Sequence, residues 1–255
     1  MEEQRTISSE KDFFQIRLAE RIVRIYPLYQ EIRAICRGYR CSENNMPALT
    51  VQASPEDLSL EKALALEQQK KTGECLSLSL SYLETLTLYR KIAEGMTAFS
   101  TFLMHGSVIS SAGQGYMICA PSGIGKSTRT KLWLEEIPDS FVVNGDKPLL
   151  RVEKDRVIAF GTPWCGKEGW NTNTSVPLRA IFLLERGENK IRELDFADAF
   201  PALLRQTYKP KEPNAKRETL RLLSDMAGKV RVFSFRSEPT PEAVRMAWAA
   251  AGGNV

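Results

Sequence analysis

The segment Ala-Pro-Ser-Gly-Ile-Gly-Lys-Ser-Thr at positions 120–128 narrows the possible folds of this chain more than any other part of it. It matches the phosphate-binding pattern G-x-x-x-x-G-K-[ST], with Ala120 in place of the first glycine. The apolar run Tyr116–Cys119 precedes it, and a helical pattern over Lys126–Glu136 follows it. This order predicts a strand, a phosphate-binding loop and a helix. The alternative is a tight strand-to-helix connection that matches the pattern by chance.

Each residue type in this loop has a physical reason. Gly123 and Gly125 permit backbone angles that turn N–H groups towards phosphates, and the helix N-terminus adds partial positive charge. Lys126 would reach the outer phosphates of a nucleotide. The Ser127 hydroxyl would complete the coordination of Mg²⁺. The predicted nucleotide-binding residues are Ser122, Gly123, Ile124, Gly125, Lys126, Ser127 and Thr128.

A nucleotide site of this type also needs an acidic residue at the end of another strand to hold the metal. The apolar residues Phe141–Val143 end in Asn-Gly-Asp, so Asp146 lies just beyond a predicted strand. The alternative is a solvated turn aspartate, because Asn-Gly-Asp is favourable turn chemistry. We predict that Ser127 and Asp146 are the Mg²⁺ ligands.

A second candidate segment is Gly-Thr-Pro-Trp-Cys-Gly-Lys-Glu-Gly-Trp-Asn at 161–171. Its glycines, proline and tryptophans exclude a regular element and indicate a structured loop of the kind that carries binding sites. Lys167 could neutralise a phosphate, and Glu168 could act as a base, directly or through a magnesium-bound water. The alternative is a surface loop held by Trp164 and Trp170, with both charged side chains solvated.

The chain as a whole predicts an α/β (mixed α+β) protein with two parts. Residues 1–80 form a small N-terminal α+β module, in which the polar segment Glu61–Thr72 is expected to be exposed. Residues 81–255 form the phosphate-loop domain. Hairpin signals outnumber helical crossovers there, which favours a mixed, largely antiparallel sheet. One of its predicted strands is Leu103–Ser110.

Composition bears on partners and location. The 35 Lys and Arg are offset by 31 Asp and Glu, so the net charge is only +4, and we expect no nucleic-acid partner. No apolar run is long enough to span a membrane. The first residues lack a signal-peptide pattern, and the five cysteines are odd in number without a CxxC pair. We therefore expect reduced thiols, a cytoplasmic location and no membrane association. A homo-oligomer is one option for the assembly.

Several of these residues together resemble the catalytic domain of HPr kinase/phosphorylase, which is similar to the nucleotide core of phosphoenolpyruvate carboxykinase. They are His105-Gly106 on a strand, a glycine-containing hairpin, the loop Ser122–Thr128 and an aspartate at the next strand end. The resemblance implies a P-loop core with a mixed sheet, ATP, Mg²⁺ and phosphate transfer to a hydroxyl of a small molecule, peptide or protein. It also implies that His105 lies beside the transferred phosphoryl group. A structural histidine is the alternative.

The sequence departs from this family at one position. Asp146 matches the second aspartate of the family's Asp-Asp pair, but Gly145 stands where the first would be. Another group then supplies the missing function, with Glu168 as the best candidate and His105 as its competitor, or the protein is a catalytically inactive nucleotide-binding regulator or partner. A carboxykinase-type lyase fits less well, because the chain is short and has a single histidine. The predicted catalytic residues are His105, Lys126, Asp146 and Glu168.

Overall fold

The computed structural model describes residues 12–72 and 78–253. The chain divides into two compact units, Met1–Gly95 and Met96–Val255. The predicted boundary between residues 80 and 81 instead falls at the start of a helix, α3 (Leu80–Gly95), which packs on other elements of the first unit. Cys75 lies outside the described residues, and the other four cysteines form no disulfide.

Over residues 12–72 and 78–95, the first unit combines a three-stranded sheet with three α-helices. Its elements are β1 (Phe14–Leu18), β2 (Arg21–Tyr26), α1 (Glu31–Ile35), β3 (Leu49–Gln52), α2 (Pro55–Thr72) and α3. The strand order is β1-β2-β3, with β1 antiparallel and β3 parallel to β2. The polar segment Glu61–Thr72, expected to be exposed, is the greater part of α2. Its inward positions include Glu61, which is buried and paired with Arg90.

The second unit contains a nine-stranded sheet and four α-helices. The strands are β4 (Thr101–Leu103), β5 (Ser107–Ser111), β6 (Gln114–Cys119), β7 (Phe141–Asn144), β8 (Leu149–Val152), β9 (Val157–Phe160), β10 (Ser175–Arg186), β11 (Lys190–Leu194) and β12 (Arg231–Ser237). The helices are α4 (Lys126–Glu136), α5 (Phe196–Gln206), α6 (Pro213–Ala227) and α7 (Pro241–Ala250).

The sheet of the second unit is mixed, as the sequence predicted. Its main order is β4-β8-β9-β10-β6-β5-β7, and β12 pairs with both β10 and β11. The pairs β6–β10 and β10–β12 are parallel, and the other pairs are antiparallel. The phosphate loop therefore follows a central strand, β6, flanked by β5 and β10.

Side-chain alternation along the central strands forms a core on each face of this sheet. Met117 and Cys119 of β6 belong to one cluster, which includes residues of α5 and α6. Tyr116 and Ile118 belong to the other, which includes Trp133 of α4 and residues of α7. The helices thus cover both faces, and none in the described ranges is long and apolar enough to cross a membrane.

The strand predicted over Leu103–Ser110 is broken, and the structure corrects the position of His105. β4 ends at Leu103 and β5 begins at Ser107, so His105 and Gly106 lie between strands. Their backbone N–H groups donate to other segments: His105 to the Gln206 carbonyl at 2.7 Å and Gly106 to the Asp146 carbonyl at 2.9 Å. The break places His105 where three segments of the unit meet.

Candidate functional site

The loop between β6 and α4, which the sequence predicts to bind phosphate, contains two glycines in the left-handed region of backbone conformation. Gly123 and Gly125 adopt φ of 79° and 108°, a region in which side chains other than glycine are strained. In the described part of the chain, no protein group accepts a hydrogen bond from the N–H groups of these two glycines. α4 begins at Lys126 with no side-chain cap. The loop therefore presents donors at a helix N-terminus, where an anion is favoured.

The side chain of Lys126 meets two other predicted catalytic residues. Its Nζ lies 2.9 Å from Asp146 Oδ1 and 3.1 Å from His105 Nε2, and His105 Nε2 is 3.0 Å from the same carboxylate oxygen. The three residues come from the start of α4, from the break between β4 and β5, and from the end of β7. The fold thus brings together a cation, an imidazole and a carboxylate beside the phosphate loop.

Asp146 is held as a carboxylate by its surroundings. Its side chain is 19% exposed, and Lys147 Nζ forms an ion pair with the second oxygen, Oδ2. Burial by itself would raise the pKa of Asp146. The hydrogen bond from His105 and the positive charges of Lys147 and Lys126 outweigh burial, so that the pKa lies well below its usual range. Asp146 is therefore ionised at neutral pH.

The buried amide of Asn144 fixes the turn that carries Asp146. Asn144 Oδ1 accepts hydrogen bonds from the backbone N–H groups of Asp146 at 2.9 Å and Lys147 at 2.6 Å. Its Nδ2 donates to the carbonyl of Thr162 at 3.0 Å. This is the Asx-type turn chemistry that makes Asn-Gly-Asp favourable after a strand, but here it orients Asp146 inward rather than towards solvent.

The segment 161–171 returns along the end of β7 and packs against Gly145. The N–H of Gly145 donates to the Trp170 carbonyl at 2.8 Å, and that of Thr172 donates to the Val143 carbonyl at 3.0 Å. A Cβ built on Gly145 would lie 2.9 Å from the Cys165 carbonyl oxygen. One built on Gly166 would lie 3.1 Å from Asp146 Cβ. In the resembled family this position is expected to hold an aspartate. Here it is Gly145, and the backbone of segment 161–171 packs too close to it for a side chain.

The charged residues of this segment are on the surface. Lys167 and Glu168 are exposed, and none of the hydrogen bonds of Asp146 or Lys126 within the described ranges involves Glu168. Cys165 Sγ accepts a hydrogen bond from Asn171 at 2.9 Å. The ring of Trp170 lies 5.9 Å from Lys131 Nζ of α4. Of the predicted catalytic residues, the structure joins His105, Lys126 and Asp146, with Glu168 on the neighbouring loop.

Arg186, the last residue of β10, supports the loop that precedes α4. It donates to the carbonyls of Gly123 and Ile124. Arg129 is buried in α4 and donates to the Ser237 carbonyl of β12 at 2.6 Å. Arg179, earlier in β10, donates instead to the Ala251 carbonyl. Of these three arginines, Arg186 is the one that stabilises the loop through its carbonyls.

Gln206 is a site residue that the sequence analysis missed. Its Oε1 lies 3.1 Å from His105 Nδ1, and its carbonyl accepts the His105 backbone N–H. Gln206 is the last residue of α5 and lies 101 positions from His105. No local pattern marks it, because a glutamine at the end of an amphipathic helix usually faces solvent.

The residues near the loop fit Mg²⁺ by donor chemistry. Mg²⁺ prefers oxygen ligands, takes one or two carboxylates and completes its shell with phosphates and water. Asp146 is an ionised carboxylate, and the partly exposed Ser127 hydroxyl lies in the first turn of α4. Lys126 and Lys147 contact the two oxygens of Asp146 in this structure, so metal binding requires at least one of these contacts to be exchanged.

Comparison with known proteins gives only distant structural likeness. No protein-family model matches the chain, and no curated protein matches it. Among solved structures, the chain is similar to the Hpr(Ser) kinase/phosphatase from Coxiella burnetii, with a TM-score of 0.34 and 12% sequence identity. That match covers 59% of this chain and 99% of the other. No conclusion about activity follows from a likeness of this size.

Proposed function

We propose that this protein is an ATP-dependent phosphotransferase that transfers a phosphoryl group to a hydroxyl of a small molecule, peptide or protein. The observation that carries the proposal is the cluster of Lys126, His105 and Asp146, within 3.1 Å of one another at the start of the phosphate-loop helix. Phosphoryl transfer is catalysed chiefly by positioning and charge stabilisation, which this cluster supplies.

In this proposal the loop residues Ser122–Thr128 bind the phosphates of ATP. Lys126 exchanges its contact with Asp146 for the outer phosphates, and the N–H groups of Gly123 and Gly125 donate to them. Ser127 and Asp146 are the protein ligands of Mg²⁺, which when bound neutralises phosphate charge. Arg186 keeps the loop carbonyls turned away from the nucleotide.

The proton of the acceptor hydroxyl needs a base or a positioning group. His105 and Asp146 are the candidates nearest to Lys126. Glu168 remains a candidate because it follows Gly166, whose backbone packs on Asp146. Its solvent exposure requires the loop to reposition on acceptor binding if Glu168 is to act.

A second candidate function is a nucleotide-binding regulator without transfer activity. Gly145 favours it, because the close approach of the Cys165 carbonyl leaves no room there for a second carboxylate. Both functions share the nucleotide site, and they differ in whether an acceptor is phosphorylated.

The deciding experiment is a transfer assay with ATP and Mg²⁺ against hydroxyl metabolites and peptides, with the product identified by mass. The first function predicts a product that carries one added phosphoryl group and is lost in Lys126→Ala. Nucleotide binding by calorimetry with no product across the screen would favour the regulator. Absence of nucleotide binding in the unmodified protein would contradict both.

Variants of the candidate bases refine this assay. If Glu168 is the base, Glu168→Gln lowers turnover by at least ~10²-fold with little change in ATP affinity. Glu188→Gln, at an exposed turn of the same unit, is the matched control. Unchanged turnover in Glu168→Gln, together with loss in His105→Ala, would assign the role to the histidine.

A further inference from the structure

Arg129 and Arg186 are anchored on neighbouring positions at the carboxyl ends of two parallel strands. Arg129 of α4 donates from Nε to the Ser237 hydroxyl at 3.3 Å and from Nη2 to the Ser237 carbonyl at 2.6 Å. Ser237 is the last residue of β12, and its register partner on β10 is Arg186. Arg186 donates from Nε and Nη2 to the carbonyls of Ile124 and Gly123. Both guanidinium groups therefore lie where the loop passes the ends of β10 and β12.

The side chains of Arg186 and Ser237 point to the face of the sheet that α4 covers. Two residues before them, Leu184 and Phe235 belong to the core cluster formed with α4. Because side chains alternate along a strand, Arg186 and Ser237 lie on the same face as Leu184 and Phe235. The Arg186 guanidinium is thus on the side of the sheet from which Arg129 reaches Ser237.

Each of these two arginines leaves the same nitrogen, Nη1, without a protein acceptor within residues 12–72 and 78–253. Nη1 of Arg129 lies against the loop, because a Cβ built on Gly125 would be 2.4 Å from it. Glycine at position 125 therefore leaves the space that this guanidinium occupies. A guanidinium has five N–H donors and is always charged, so two N–H groups on each Nη1 remain for a ligand.

No carboxylate neutralises the two guanidinium groups in the part of the chain that the structure describes. All of their side-chain hydrogen bonds go to Ser237 or to the loop carbonyls. Glu185, next to Arg186 in β10, pairs instead with Arg236 at 3.6 Å. Arg129 is only 5% exposed, and a buried charge without a counter-charge is costly. An oxyanion bound by both arginines offsets this cost and their mutual repulsion.

We propose that Arg129 and Arg186 form a phosphate-binding site, in which one phosphate group accepts hydrogen bonds from Nη1 of both side chains. The planar, charged guanidinium matches phosphate oxygens in geometry and in charge. Arg186 bonds the carbonyl oxygens of the loop, so this site lies on the carbonyl side of Gly123 and Ile124. The N–H groups of the loop and Lys126 are separate from it. The site is a property of the free protein and does not depend on phosphoryl transfer.

Titration with inorganic phosphate at constant ionic strength, followed by ¹⁵N–¹H spectra of the backbone amides, tests this site. Lys126→Ala provides the background, because it removes the lysine of the predicted nucleotide site. In that protein phosphate should still bind saturably and should shift the amide signals of residues 185–187 and 237–238. Adding Arg186→Gln, which keeps an N–H donor for a loop carbonyl, should weaken this binding at least ~10-fold, the effect of losing a charge-assisted hydrogen bond.

Arg236→Gln is the matched control. It removes the same charge from the residue next to Ser237, but Arg236 is paired with Glu185, so phosphate affinity should change little. Arg129→Lys keeps the buried charge without the planar group and should also weaken binding at least ~10-fold. If a melting curve shows that Arg129→Lys does not fold, Arg186→Gln and its control still decide.

Three results would overturn the proposal: no saturable phosphate binding in Lys126→Ala, an unchanged affinity on adding Arg186→Gln, or an equal loss on adding Arg236→Gln. AMP distinguishes the two sources of a phosphate group. Displacement of inorganic phosphate by AMP from the Arg186-dependent site would assign it to a nucleotide phosphate. Phosphate binding that persists at saturating AMP would assign it to a second phosphorylated molecule.

The outcome is separable from that of the proposed function. Phosphate binding that depends on Arg186, in a protein that does not bind ATP, would refute the proposed function alone. ATP binding and transfer without phosphate binding at the two arginines would refute the further site alone.

Discussion

At the scale of single residues, the candidate site is dominated by positive charge around one carboxylate. Lys126 and Lys147 each contact Asp146, and His105 adds a third donor. One carboxylate cannot neutralise two lysines, so the cluster favours anions. In this structure Asp146 holds the two lysine side chains together.

Lys126 should matter more for ATP than for AMP. A charge-assisted hydrogen bond is worth roughly 1.5–3 kcal/mol, so Lys126→Ala should weaken ATP binding by roughly 10- to 100-fold and AMP binding far less. Calorimetry measures both affinities. Lys131→Ala, an exposed lysine of the same helix, is the control and should leave both unchanged. Equal ATP affinity in Lys126→Ala would show that the loop does not bind the outer phosphates.

Asp146 should determine the magnesium dependence of nucleotide binding. Asp146→Asn keeps the backbone hydrogen bond to Asn144 and loses the charge, so the fold should persist while the dependence of ATP affinity on Mg²⁺ falls. The measurement is a magnesium titration of ATP affinity, with a melting curve to verify folding. Asp155→Asn, at an exposed turn, is the control. An unchanged titration in a folded Asp146→Asn protein would assign Asp146 a purely structural role.

At the scale of elements, the decisive contact is that between the end of β7 and the segment 161–171. Two glycines let these backbones approach: Gly145, and Gly161, where a Cβ would lie 2.8 Å from the Val143 carbonyl oxygen of β7. This contact puts Gly166 on Asp146. The segment is therefore a wall of the site, and a side chain at position 145 would displace it.

A side chain at position 145 should destabilise the protein. The Cβ of Gly145→Ala would meet the Cys165 carbonyl oxygen at 2.9 Å, which requires a backbone shift and should cost about 1–3 kcal/mol. Gly228→Ala, where the nearest atom would lie at 3.7 Å and φ is −85°, is the matched control. Chemical denaturation compares the two. Gly145→Asp, which recreates the carboxylate pair of the resembled family, should be at least as unstable as Gly145→Ala and should not raise transfer activity. If Gly145→Asp were as stable as the unmodified protein, segment 161–171 would accommodate a side chain at position 145, contrary to this expectation.

At the scale of the whole molecule, the two units can be observed separately. All four tryptophans, Trp133, Trp164, Trp170 and Trp248, belong to the second unit. Tryptophan fluorescence therefore reports unfolding of that unit alone, whereas far-ultraviolet circular dichroism reports both. This distinction makes the pH response of the first unit measurable in the full chain.

The first unit contains a buried glutamate whose protonation should affect its stability. Glu84 of α3 is fully buried and accepts hydrogen bonds from the N–H groups of Leu28 and Tyr29. Burial raises its pKa to about 7, against the lowering effect of these two bonds. The folded unit therefore binds this proton more tightly than the unfolded chain, and its stability falls as pH rises from about 4.5 to above 7. Over this pH range the free energy of unfolding of the first unit should fall by about 3 kcal/mol.

Denaturation followed by circular dichroism at pH 5 and pH 8 tests this expectation. In the unmodified protein the first unit should be less stable at pH 8 than at pH 5. In Glu84→Gln, whose side chain cannot ionise, the stability of this unit should depend less on pH. Unfolding of the second unit, followed by tryptophan fluorescence, should have the same pH dependence in both proteins. Glu43→Gln, an exposed glutamate of the same unit, is the control. The same pH dependence in Glu84→Gln as in the unmodified protein would rule out Glu84 as its source.

Local sequence patterns predicted the elements on either side of the loop at 120–125 because each pattern reports an interaction close in the chain. The strand Tyr116–Cys119, the glycine turns and the helix from Lys126 follow from side-chain alternation and backbone freedom within a few residues. α2 was missed because its apolar residues do not form a stripe, and one inward position is the charged Glu61. The break at His105 was missed because the residues on both sides are apolar and strand-forming.

The strand and helix around the loop at 120–125, the turn that carries Asp146 and the mixed character of the sheet could all be predicted from the sequence, because they depend on residues that are neighbours in the chain. The sequence did not reveal that Lys126, His105 and Asp146 meet at one point, that a backbone contact requires Gly145, or that Gln206 contacts the histidine. These contacts join residues 20 to 101 positions apart. They form only when the order of the strands and the end of α5 bring distant segments together, which no local pattern in the chain reports.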